Sequence, residues 1–72
     1  MNNKNITMEL YNYRFWYNGG RCTEVLKCDK PVVIPNNDVK WCKVNIPSKK
    51  KSVAINIEKV ETIEEWITEE EL

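Results

Sequence analysis

At 72 residues the chain is a single domain near the lower limit of what folds unaided, a size that buries only roughly 60% of its unfolded surface and often leans on disulfides, metals or oligomerisation. Eleven Lys and Arg balance eleven Asp and Glu, and there is no histidine, which removes the commonest general base and the usual partner of Ser and Cys nucleophiles. No apolar run is long enough to span a bilayer and none follows a basic start, so a cytoplasmic protein with no membrane partner is expected.

Residues 1–7 are polar and read as a flexible leader. From Met8 to Tyr17 the pattern has period two, with aromatics at Tyr11, Tyr13, Phe15 and Tyr17, which predicts a strand. Asn18-Gly19-Gly20 is a hairpin signal, because a tight turn of the right twist needs positive φ. The return strand is expected over 21–28. A two-residue turn places Cys22, Glu24, Leu26 and Cys28 beside the aromatic, core-facing set. A three-residue turn instead sets Trp16 against Cys22 and Arg14 against Glu24, since a one-residue slip exchanges the faces.

The run DKPVVIP is bracketed by prolines and belongs at an edge or a connection. Residues 39–46 predict a strand with Cys42, Val44 and Ile46 on one face and Trp41, Lys43 and Asn45 on the other. After the basic tip Ser48 to Ser52, the alternation of Val53, Ile55 and Ile57 predicts its return. The acidic segment from Val60 fits a fifth strand, with a short helix as the alternative, and 68–72 read as an acidic tail that frays. The fold class is therefore mainly β: a small antiparallel sheet or partly open barrel of four to five strands.

The neutral total hides an asymmetry. Residues 1–57 hold ten cations against four acids, and residues 58–72 hold seven glutamates against one lysine. A basic body suits an anionic partner. The candidate ligand face is the non-core side of the first hairpin, Arg14, Trp16, Arg21, Thr23 and Lys27, with Trp41 and Lys43 on the central strand. Arginine grips phosphate with parallel charge-assisted hydrogen bonds and an indole stacks on a base. Lys49, Lys50 and Lys51 are possible further phosphate contacts. Core packing or a subunit interface explains the same tryptophans, and a solvated hairpin tip explains the lysines.

Three cysteines, Cys22, Cys28 and Cys42, are an odd count at spacings that match no zinc pattern, which favours reduced core thiols. No Gly-rich phosphate loop is present. Catalytic residues, metal and cofactor are all expected to be none.

In size, composition and style over its whole length, the short, Asn/Lys/Ile-rich chain resembles the small accessory proteins encoded by phages of low-GC bacteria. Those include anti-defence proteins that bind a host effector, as anti-CRISPRs do, and homo-oligomeric sponge proteins that sequester nucleotide immune signals. No motif of such a family matches residue by residue, so no site is carried over. What the resemblance implies is binding without turnover in the host cytoplasm. Three functions are consistent with this: sequestration of a nucleotide-type small molecule by a homo-oligomer, inhibition of a host protein through the Trp/Arg face or the acidic tail, and binding of single-stranded nucleic acid.

Overall fold

Alternation of apolar and polar residues organises the chain into five strands. A computed structural model describes residues 6–36 and 38–71. In chain order the strands are β1 (Thr7–Tyr17), β2 (Leu26–Cys28), β3 (Trp41–Ile46), β4 (Lys51–Asn56) and β5 (Val60–Glu71). They form two antiparallel sheets, one ordered β2-β1-β5 and one of β3 with β4. The described residues contain no helix long and apolar enough to cross a membrane; the helical turns, Pro47–Lys49 and Ile57–Lys59, are both short 3-10 pieces.

The core lies between the sheets. Tyr13 and Phe15 of β1 with Leu26 and Cys28 of β2 pack on Cys42, Val44 and Ile46 of β3 and Ile55 of β4. Phe15 and Val44 are wholly buried, and each such side chain contributes about 1.5–3 kcal/mol of transfer free energy. Cys28 and Cys42 sit here as free, buried thiols, while Cys22 is exposed. The expected mainly β architecture of small antiparallel sheets with five strands is what the structure has, as two open sheets packed on one core with no closed barrel among the described residues.

The hairpin combines both registers considered above. Tyr17 N–H donates to the Arg21 carbonyl at 2.7 Å and Gly20 N–H to the Tyr17 carbonyl at 3.2 Å. Gly19 and Gly20 have φ of +96° and +89°, a region that a side chain would strain. Near the turn Trp16 bridges Cys22, yet farther along Tyr13 faces Leu26 and Tyr11 faces Cys28. Between them the return strand is irregular: Thr23 N–H donates to the Phe15 carbonyl at 3.0 Å, and Phe15 N–H donates to Thr23 Oγ1 at 3.2 Å rather than to a carbonyl. Cys22 and Glu24 are thus exposed and do not join the core. Regular pairing is confined to Leu26–Cys28, not the whole of 21–28.

The C-terminal segment is a strand throughout, and the alternative helix is absent from it. It pairs with β1 from Tyr17 opposite Val60 to Thr7 opposite Glu71, with a bulge at Trp16/Tyr17. Residues 68–71, expected to fray, are therefore held in the ladder, and Thr7 of the expected leader is their partner; residues 1–5 and 72 lie outside the described residues. A long β1 offers backbone partners as far as Glu71, and that outweighs the acidic composition. The molecule is elongated, 53 × 21 × 20 Å.

Tyr13 joins three elements. Its ring stacks near Phe15, its hydroxyl donates to the Glu65 carboxylate of β5, and it accepts from Val32 N–H at 2.9 Å. Burial, and then the bond to Glu65, hold its pKa above the ordinary 10.0. Burial likewise raises Cys28 and Cys42 above 9.0.

Tyr13→Phe leaves the Val32 N–H and the Glu65 carboxylate without that partner, and should lower the urea-unfolding free energy by about 1–3 kcal/mol. A folded pKa above the unfolded one means that the unfolded chain releases its proton first. Stability is therefore undiminished below pH 9 and falls as pH rises through 9 and 10 towards the folded values. Urea midpoints across that range should decline in the wild type and decline less steeply beyond pH 10 in Tyr13→Phe.

Candidate functional site

The even-numbered residues of β1 stand on the face of the three-stranded sheet away from the core. Asn12 is opposite Trp66 and Lys27, Arg14 opposite Glu64, and Trp16 opposite Thr62. Asn12 is a buried polar residue in the middle of this face, 1% exposed. Its amide donates to the carbonyls of Leu10 at 3.3 Å and Trp66 at 3.1 Å and to Thr68 Oγ1 at 3.0 Å. Burying an amide this completely is tolerable only with its hydrogen bonds made, and here they tie β5 to β1.

Arg14 and Trp16, the centre of the expected ligand face, share an internal partner. Glu64 Oε1 accepts from Trp16 Nε1 and, at 3.5 Å, from Arg14 Nη1. The Arg14 guanidinium also lies 5.5 Å from the centre of the Trp66 ring, a cation–π contact worth about 0.5–1 kcal/mol at a part-exposed site. The depression beside them is lined by Trp16, Tyr17, Gly20, Glu61, Thr62 and Glu64. It presents two carboxylates and no cation, which disfavours a phosphate.

The other expected ligand residues are dispersed. Lys27 reaches Glu70 at 3.5 Å. Thr23 completes the hairpin ladder, as described, and Arg21 is exposed in the hairpin. Trp41, 57% exposed, and Lys43 stand on the outer face of the second sheet, so the two tryptophans do not share a surface. Lys49 and Lys51 both approach Glu24, at 3.5 and 3.8 Å, and Lys50 turns the tip with φ of +51°. The single basic face therefore resolves into three separate places, most of whose cations already have carboxylate partners.

What sequence reasoning missed is the reach of the acidic fifth strand, which continues through 68–71, and the partners of its glutamates. β5 carries six glutamates and neither lysine nor arginine. Glu64 and Glu65 reach across to β1, onto Arg14, Trp16 and Tyr13, and Glu70 meets Lys27. Glu69 stands directly opposite Glu9, an unfavourable like-charge pair across strands. Only one signal was available in advance: the excess of glutamates after residue 58, which reads as a tail until its partner strand is known.

Glu64→Gln keeps an acceptor for Trp16 but removes the charge facing Arg14. It should retain the fold and lower stability by under about 1 kcal/mol, read by chemical unfolding, because this pair is part-exposed. Compared with known proteins, the chain matches no family model, no curated protein and no solved structure.

Proposed function

We propose that this protein acts by stoichiometric binding to another protein, without turnover, and that the acidic β1–β5 ribbon carries the contact. The observation behind this is the placement of charge. Arg14, Trp16 and Lys27, on which nucleotide sequestration would depend, are engaged by Glu64 and Glu70 of the same chain. By contrast Glu9, Glu69 and Glu71 are exposed where the ribbon ends, with Glu9 and Glu69 held against each other. A basic protein surface relieves that repulsion and gains from long-range attraction during encounter. Single-stranded nucleic acid is disfavoured by the same charges, since its backbone repels them.

Affinity capture from cell lysate, paired with native mass spectrometry against linear and cyclic nucleotides, tests the reading. A protein should be retained in fixed ratio at about 0.1 M salt, be weakened at about 0.5 M, and be lost from a Glu69→Lys/Glu71→Lys variant of unchanged circular dichroism. The nucleotides should leave the mass unchanged. Retention of one discrete nucleotide per fixed number of subunits, undiminished in the variant, would overturn it.

A further inference from the structure

The outer edge of β5 has no partner strand among the described residues. Which backbone groups it offers follows from the hairpin. Phe15 directs both its N–H and its C=O to Thr23, on the β2 side. In an antiparallel ladder this direction alternates, so the even residues of β1 face β5. From Trp16 opposite Thr62 to Thr7 opposite Glu71 the register is unbroken, so the even residues of β5 answer them. The odd residues Ile63, Glu65, Ile67 and Glu69 therefore turn their N–H and C=O groups outward.

Side chains along the same edge define what fits it. On the core-side face, Ile67 is 54% exposed between Glu65 and Glu69. On the opposite face the order is Glu64, Trp66, Thr68, Glu70. We infer that β5 accepts an extended, basic segment of a partner protein as an added antiparallel strand, with an apolar residue opposite Ile67 and lysine or arginine opposite the flanking glutamates. Backbone pairing supplies affinity and the alternating side chains supply selectivity. A second copy of the chain is a poor occupant: joining two β5 edges brings six glutamates from each strand onto one seam, with no cation from either. Charged edges of this kind block self-pairing while remaining open to a strand of opposite sign. This mode rests on the protein-binding reading above and specifies how the contact is made.

The probe is the capped peptide Lys-Lys-Thr-Val-Thr-Lys-Lys, whose palindromic order matches Glu70 to Glu64 and sets its Val opposite Ile67. Two N-methylated versions keep its charge. Methylation of the second, fourth and sixth residues removes the donors that face β5; methylation of the third and fifth removes only donors that face away. Binding to the full chain is read by titration calorimetry and by backbone amide hydrogen exchange. The expected result is that the amides of Glu65, Ile67 and Glu69 slow on binding. The inward-methylated peptide should bind about tenfold or more weaker, for the loss of about three hydrogen bonds, with the outward-methylated one little changed.

Equal binding of both methylated peptides would overturn strand addition and leave charge attraction alone. Protection at β3 or β4 in place of β5, or no binding by any peptide, would also overturn it. So would sedimentation showing a dimer whose odd β5 amides are already protected. In each of these cases the lysate partner and its loss in Glu69→Lys/Glu71→Lys would still stand or fall independently, so failure of the mode is distinguishable from failure of protein binding itself.

Discussion

The ladder between β1 and β5 is the constraint on which the other features depend. β1 is the interior strand of its sheet, with β2 on one edge and β5 on the other, and it also supplies Tyr13 and Phe15 to the core. One of its partners is local, reached through a glycine turn. The other comes from the opposite end of the chain, so the pairing closes a loop of some fifty residues, and Asn12 to Trp66 is a bond across 54 positions. Closing so long a loop costs chain entropy before any contact is gained. The return comes from the Asn12 bonds to Trp66 and Thr68, the Tyr13 bond to Glu65 and the partly buried Val60 and Ile63, all of which form only when the two strands meet.

That pairing also rearranges the charge. In sequence, cations precede and glutamates follow, as if a basic body trailed an acidic end. Once β5 lies beside β1, Glu64 faces Arg14 and Trp16, and Glu70 meets Lys27. Exposed ion pairs of this kind add little stability, but they decide what the surface offers to a partner. The hairpin face becomes nearly self-neutralised, whereas the excess of acid is displaced to the outer edge and the far end of the ribbon. The same molecule that reads as a basic body with an acidic end in sequence carries its excess acid along one sheet edge when folded.

The second sheet plays a different part. β3 and β4 cover the core with Cys42, Val44, Ile46 and Ile55 and leave Trp41 and Lys43 outward on their own surface. Val33, Ile34 and Val39 are exposed in the connection that leads into β3. This side meets the first sheet through the core, the Tyr13 bridge to Val32 and the Lys49 and Lys51 pairs with Glu24, so it holds the sheet in place without contributing to the acidic edge.

The sequence alone determined the elements whose signals are local. Period-two alternation marked β1, β3 and β4 and named their buried faces, because in a strand every second side chain shares a side. The paired glycines located the hairpin, because only they accept the positive φ that its turn requires. It also established that cysteines were few and odd in number, and placed Cys28 and Cys42 in the core, though not the exposed Cys22. Tertiary structure alone decided the rest. It chose strand over helix for 60–71, since that segment satisfies both periods and only the vacant edge of β1 separates them. It set the mixed hairpin register, in which Thr23 Oγ1 takes the place of a backbone acceptor. It also settled which charges meet, because Glu64 and Arg14 are fifty positions apart, and no local pattern records a pairing made across a whole sheet.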